Sequence, residues 1–126
     1  SESGRFDDFT KDIYKLKDLG VKIIWLMPIH PISKVKRKGT LGSYYSISDY
    51  KDVNPEFGNK QDFDELIAEA HKNDMLVILD WVANHTGWDH HWIKTNPEYY
   101  TTNNKGEITD PINPDTGESW GWTDVA

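Results

Sequence analysis

Met75–Val82 reads MLVILDWV, five apolar residues followed at once by a carboxylate. Forty-eight residues upstream, Val21–Met27 reads VKIIWLM. Both runs are short, rich in β-branched side chains and bounded by turn or breaker residues, so both predict strands. Their apolar character is nearly continuous, which predicts strands covered on both faces, as in a parallel sheet. Between them NKQDFDELIAEAHKND predicts a helix, with Asn59 as N-cap, Asp62 three residues on, and Phe63, Leu66, Ile67 and Ala70 as the buried stripe. Before the first strand RFDDFTKDIYKLKDLG predicts another helix. Phe6, Phe9, Ile13, Leu16 and Leu19 make its stripe, and Gly20 sits just past its end.

The order helix, strand, helix, strand implies a parallel βαβ arrangement. That is the repeat of an α/β barrel or a doubly wound sheet. Two strands do not make a sheet with two covered faces, and a barrel of this kind takes about 250 residues. The expected fold is therefore α/β, a partial (β/α)8 barrel of two parallel strands with helices and long loops. Residues 1–82 are expected to form the partial barrel, including a long loop over 28–58. From Ala83 the pattern fades into polar and aromatic loop, and residues 83–126 are expected to begin a loop insert. The chain opens SESGRF without an initiator Met, as a processed or excised piece would.

Composition narrows the function. Over 126 residues the formal net charge is −7, which disfavours phosphate and hence nucleic acid. The basic run Lys34–Lys38, KVKRK, reads as a solvated loop in that acidic setting. No apolar run approaches the ~20 residues of a membrane helix. There are no cysteines, so disulfides and thiolate metal sites are excluded.

Ligands of parallel α/β folds gather at the carboxyl ends of the strands. Asp80, Asn84 and His85, in DWVANH, lie at such an end, and the loop after Met27 leaves the other strand at the same end. These two segments are expected to meet. Asp80 must be paired if buried, whether it orients an arginine or accepts backbone amides, and from this stretch alone nucleophile and general-acid roles stay open to it. His85 could donate to a substrate hydroxyl or be a satisfied loop histidine. Asn84 offers an amide oxygen suited to calcium, or simply a turn. His85, Asp89, His90 and His91 invite a zinc-hydrolase reading, but adjacent His90 and His91 do not easily share one ion. NNKGE, from Asn103, followed by DPINPDTGE has the composition of a calcium loop without the EF-hand register. Tyr44, Tyr45, Trp88, Trp92, Tyr99, Tyr100, Trp120 and Trp122 all fall outside the predicted elements. Aromatic faces beside carboxylates suit sugars, whose rings have apolar CH faces and polar edges.

Four stretches, in order, resemble the α-amylase family of glycoside hydrolases. LKDLGVKIIWLMPIHP is similar to its first helix and second barrel strand. YSISDYKDVNPEFG is similar to the segment that follows. DFDELIAEAHKNDMLVILDWVANH is similar to the second helix and third strand, with the Asp-x-x-x-x-Asn-His motif. ESWGWTDVA is similar to the end of the insert after that strand.

The resemblance implies a retaining glycosidase acting on α-glucosidic linkages of starch, maltodextrin or related α-glucans. It implies that Tyr45 stacks on the sugar beside the scissile bond and that His85 hydrogen-bonds the same sugar. It further implies that Asp80 supports the nucleophile by orienting a later strand's arginine, and that Asn84 occupies a position that ligates calcium in many members. The partner implied is an oligo- or polysaccharide, with no nucleic acid and no membrane.

Asp124-Val125-Ala126 superficially matches the family's Arg-x-Asp-x-Ala nucleophile motif, but position 122 is Trp, so that role is not given to Asp124. No catalytic residue is assigned within the chain, which alone is expected to be inactive and prone to self-association. A non-catalytic carbohydrate-binding member of the same scaffold is the alternative. A polysaccharide-degrading parent would favour an extracellular or periplasmic setting; localisation is otherwise unknown.

Overall fold

The computed structural model describes residues 4–126, which divide into two compact units. One contains residues up to Ile29 and Lys51–Trp81. The other contains His30–Tyr50 and Val82–Ala126.

The first unit is the helix–strand unit. Helix α1 spans Phe6–Asp18 and strand β1 spans Ile23–Leu26. Helix α2 spans Lys60–Lys72 and strand β2 spans Leu76–Leu79. The two strands pair in parallel, with Ile23 opposite Leu76, Ile24 opposite Val77, Trp25 opposite Ile78 and Leu26 opposite Leu79. The α/β reading with two parallel strands therefore holds.

Both helices end by the same physical device. After α1, Gly20 turns left-handed at φ +84°. Its N–H reaches Lys17 O at 2.8 Å, and Val21 N–H reaches Leu16 O at 3.0 Å. These bonds satisfy carbonyls that the last helical turn leaves open. After α2 the left-handed residue is Asp74, at φ 59°, with Asp74 N–H on His71 O and Met75 N–H on Ala70 O. The start of α2 is a reciprocal box. Asp62 N–H donates to Asn59 Oδ1 at 3.0 Å, and Asn59 N–H donates to Asp62 Oδ2 at 2.8 Å.

The core of this unit is Phe6, Ile13, Ile24, Ile29, Val53, Leu66, Ala70 and Met75. Phe6 locks the end of the long connection into it. Its ring meets Phe57 edge-on at 5.8 Å, and its N–H donates to Phe57 O at 2.8 Å. Phe9, Leu16, Phe63 and Ile67 pack against the cluster, so both helical stripes point inward as expected. Leu19 departs from its expected place and is 80% exposed. It caps α1 at the point where the backbone leaves the helix, so the stripe closes at Leu16.

The strands also depart from expectation. Coverage on both faces was the reading of their apolar runs, yet one face is open. Ile24 and Val77 face the core, while their neighbours Ile23, Trp25, Leu76 and Ile78 are exposed. Side chains alternate across a strand, and the core forms on one side of this two-stranded sheet.

The second unit is mostly loop, with short regular elements in it. Strand β3, Thr86–Gly87, pairs antiparallel with β4, Asp124–Val125. A short helix α3 covers Trp92–Thr95 and a 3-10 turn covers Pro97–Tyr99. Trp92 and Tyr99 thus lie in elements that sequence periodicity does not reveal, since a single turn is too short to show a period.

Candidate functional site

The segment after β1 and the segment after β2 meet in the second unit, as their common exit from the strand ends predicts. Gly87 N–H donates to Ile47 O at 2.9 Å, and Lys34 N–H donates to Asp89 Oδ2 at 2.8 Å. The Tyr50 hydroxyl lies 2.6 Å from Val82 O and 2.8 Å from His85 O, so it braces the backbone on both sides of Asn84. Burial pushes the Tyr50 phenol above its ordinary pKa, which keeps it a neutral donor. Lys36 adds a surface clasp, its ammonium 3.3 Å from the centre of the Trp88 ring.

His85 is the centre of the arrangement. Asn84 Nδ2 lies 3.4 Å from its Nδ1. Its Nε2 lies 3.7 Å from Asp124 Oδ2. Trp122 meets its ring edge-on at 5.5 Å between centroids. The Ser46 hydroxyl donates to Asp124 Oδ1. A pocket of about 140 Å3 adjoins these groups, lined by Tyr50, Asn84, His85, Trp92, Tyr99 and Tyr100 among others. Tyr100 is buried, and its hydroxyl shares a 2.8 Å hydrogen bond with Thr86 Oγ1.

Tyr45 lies in the same unit and is 38% exposed, and its N–H donates to Ser43 Oγ. Asp80 belongs to the helix–strand unit, where its N–H continues the ladder of β2 onto Leu26 O at 2.9 Å. Asn84 and His85 are thus brought side by side.

His90 is 1% exposed and its ring stacks on His91 at 4.6 Å. Its Nδ1 accepts from Trp92 N–H at 3.2 Å, while Nε2 is buried without a partner. Burial first, and the adjacent His91 second, hold it below the ordinary histidine pKa. It packs as a neutral ring against Tyr50 and Trp92.

Among the described residues no group of three or more His, Cys, Asp or Glu side chains converges to hold a metal ion. Calcium takes six to eight oxygen ligands, and Asn84 supplies one amide oxygen. These donors do not by themselves complete a calcium cage.

Sequence reasoning missed Ser46, Tyr50 and Asp124 as parts of this cluster. For the first two a signal exists: in YYSISDY, Ser46 and Tyr50 flank the alternation that buries Ile47. For Asp124 the partner lies 78 residues away, and no local pattern announces it.

A parallel β–α–β unit, and a loop unit in which a histidine, a carboxylate and aromatic rings converge, define an α/β protein. The comparisons make this specific. A family model described as the alpha amylase catalytic domain matches residues 1–117. Alpha-amylase SusG of Bacteroides thetaiotaomicron is 40% identical over 89 residues, covering 71% of this chain and 12% of that protein. An alpha-glucosidase of Schizosaccharomyces pombe is 35% identical over an alignment of 139 residues, covering 97% of this chain and 23% of that protein. The crystal structure of an alpha-amylase from Lactobacillus plantarum superposes with a TM-score of 0.83 at 44% identity, covering 94% of this chain and 28% of that one. The chain belongs to the alpha-amylase family. It spans less than a third of the length of each of these relatives.

Proposed function

We propose that the chain is part of a retaining glycosidase that acts on α-glucosidic linkages, and that it carries part of the sugar site on a partial (β/α)8 barrel. The observation that carries this reading is the family match over residues 1–117, together with relatives whose names are those of an alpha-amylase and an alpha-glucosidase.

The geometry supports a polyhydroxyl ligand. His85 presents an imidazole beside an aromatic edge and a carboxylate, groups that suit a ring with hydroxyl rims and apolar CH faces. Tyr45 stacks on the sugar and His85 hydrogen-bonds one of its hydroxyls. Asp80, at the end of β2, orients an arginine that supports the nucleophile. Retaining chemistry needs two carboxyl groups about 5–5.5 Å apart. Neither is assigned to a residue of this chain. Asn84 is kept as a calcium ligand contributing one oxygen, and no step of the sugar chemistry passes through that ion.

Titration with maltotriose, followed by amide chemical shifts, tests the reading. Shifts should centre on Tyr45 and His85, with a dissociation constant in the millimolar range (about −4 kcal/mol). Tyr45→Ala and His85→Ala should each weaken binding about tenfold. Shifts confined to residues far from both would remove the sugar assignment. The pure chain should release no reducing sugar from a maltooligosaccharide; release would place the reacting carboxylates within it. For Asn84, a melting temperature that rises with calcium and returns with a chelator is expected, and no response would retire the ion.

A further inference from the structure

Asp124 is a buried carboxylate in a unit whose other acids are at least partly solvated. A charge so enclosed is costly unless partners meet it. Its partners come from two distant segments. The Ser46 hydroxyl takes Oδ1, and Oδ2 faces His85 Nε2 at 3.7 Å.

Each component is fixed from its own side. The β3–β4 pairing places Asp124 opposite Gly87, two residues beyond His85. Ser46 is held through its backbone, which donates to Ser43 O at 3.0 Å and accepts from Ser33 N–H at 2.8 Å. Gly87 makes the approach possible. A Cβ there would stand 3.1 Å from Ser46 Oγ and would fall on the Ser33 side chain.

The other edge of the imidazole faces Asn84. An amide NH2 is a donor only, so the nitrogen it meets, Nδ1, is the acceptor. The ring proton then resides on Nε2, the nitrogen that faces the carboxylate. Asn84 and Asp124 therefore select the same tautomer from opposite sides. At 3.7 Å the contact is electrostatic rather than a hydrogen bond, and a carboxylate at that range favours the tautomer whose N–H faces it.

We propose that Asp124 is a positioning residue for His85, holding its imidazole in the Nε2–H tautomer and setting its direction, with Ser46 locking the carboxylate in turn. Asp124 acts through His85 and is given no contact with substrate. The consequence for sugar binding rests on the function proposed above; the tautomer itself does not.

Asp124→Asn is the sharp variant. Ser46 is expected to keep the remaining oxygen, which turns the new NH2 toward Nε2 and reverses the preferred tautomer to Nδ1–H. An aspartate fixes a histidine tautomer by the same logic in the serine-protease triad, where the asparagine variant reverses it. Long-range proton–nitrogen spectra of the full chain with labelled histidine, recorded at about pH 8 where an ordinary imidazole is neutral, read this directly. In the wild type, Nε2 should be the protonated nitrogen of His85. In Asp124→Asn the two nitrogens should exchange roles, and maltotriose should bind about tenfold more weakly, or 1.4 kcal/mol.

Should the asparagine variant fail to fold, Ser46→Ala frees the carboxylate while keeping its charge, and a mixed population of tautomers is expected. An unchanged His85 tautomer in the folded variant or variants overturns the proposal. If the tautomer moves but maltotriose binds neither protein, Asp124 keeps its role and the sugar site is lost. If maltotriose binds the wild type while the tautomer stays fixed, the sugar site stands and the positioning role falls.

Discussion

At the scale of single residues, the loop unit turns on positions where one atom decides. Gly87 is extended rather than left-handed, so it is needed for space and not for backbone freedom. Ser33 beside it is fully buried and its hydroxyl lacks a partner, so there is no slack on that side. Gly87→Ala should cost about 1–3 kcal/mol, as overpacking does, and should loosen the Ser46–Asp124 contact. Chemical denaturation measures the first effect. A variant as stable as the wild type would mean that the two serines yield easily.

His90 makes a second demand. Its depressed folded pKa means that the unfolded chain binds a proton first as pH falls. The contribution to stability is complete above the unfolded value, about 6.5, and is lost as pH drops below it until the folded state also protonates. The Asp49 and Asp89 carboxylates oppose the shift but do not overcome burial. The urea midpoint should therefore fall between about pH 7.5 and pH 5.5, and His90→Gln should flatten that fall. An equal acid response in the variant would assign the effect to other histidines. His90 was readable in the sequence as a histidine in a suspicious cluster. Its burial was not, because the rings that enclose it, Tyr50 and Trp92, come from different segments.

At the scale of elements, the sequence was most legible where local chemistry is strong. The Asn59–Asp62 box, the Gly20 terminus and the stripes from Phe6 to Leu16 and from Phe63 to Ala70 are written within a few residues of where they act, while Leu19, which the spacing adds to the first stripe, lies outside. The end of α2 was harder to see, because an aspartate does there what a glycine does after α1. An L-residue in the left-handed region is disfavoured, and Asp tolerates it better than most. The ion pair of Asp74 with Lys17 is long, at 3.7 Å, and exposed, so it compensates little. Asp74→Gly should therefore stabilise the chain by about 0.5–1 kcal/mol, read as a rise in melting temperature. A loss of stability would show that the Lys17 contact outweighs the backbone. The two-residue strands β3 and β4 were illegible for a different reason. A ladder so short has no alternation to detect, and its partner lies nearly forty residues away.

At the scale of the whole molecule, the apolar content of β1 and β2 was legible while its coverage was not. Pattern alone says that a run can be buried on both sides; it does not say what is there to bury it. Trp25 at 71% exposure, with Ile23, Leu76 and Ile78 beside it, forms an apolar face on a sheet whose two outer edges carry no strand among the described residues. Such faces and edges are templates for association. The isolated chain should therefore associate in a concentration-dependent way in sedimentation velocity. Trp25→Lys combined with Ile78→Lys should shift it toward monomer, because association would then have to take two charges on the open face out of water. The core should be untouched, since Ile24 and Val77 point the other way. A wild-type chain that sediments as a monomer at every concentration, while melting cooperatively, would mean that the open face is too small to drive association at all.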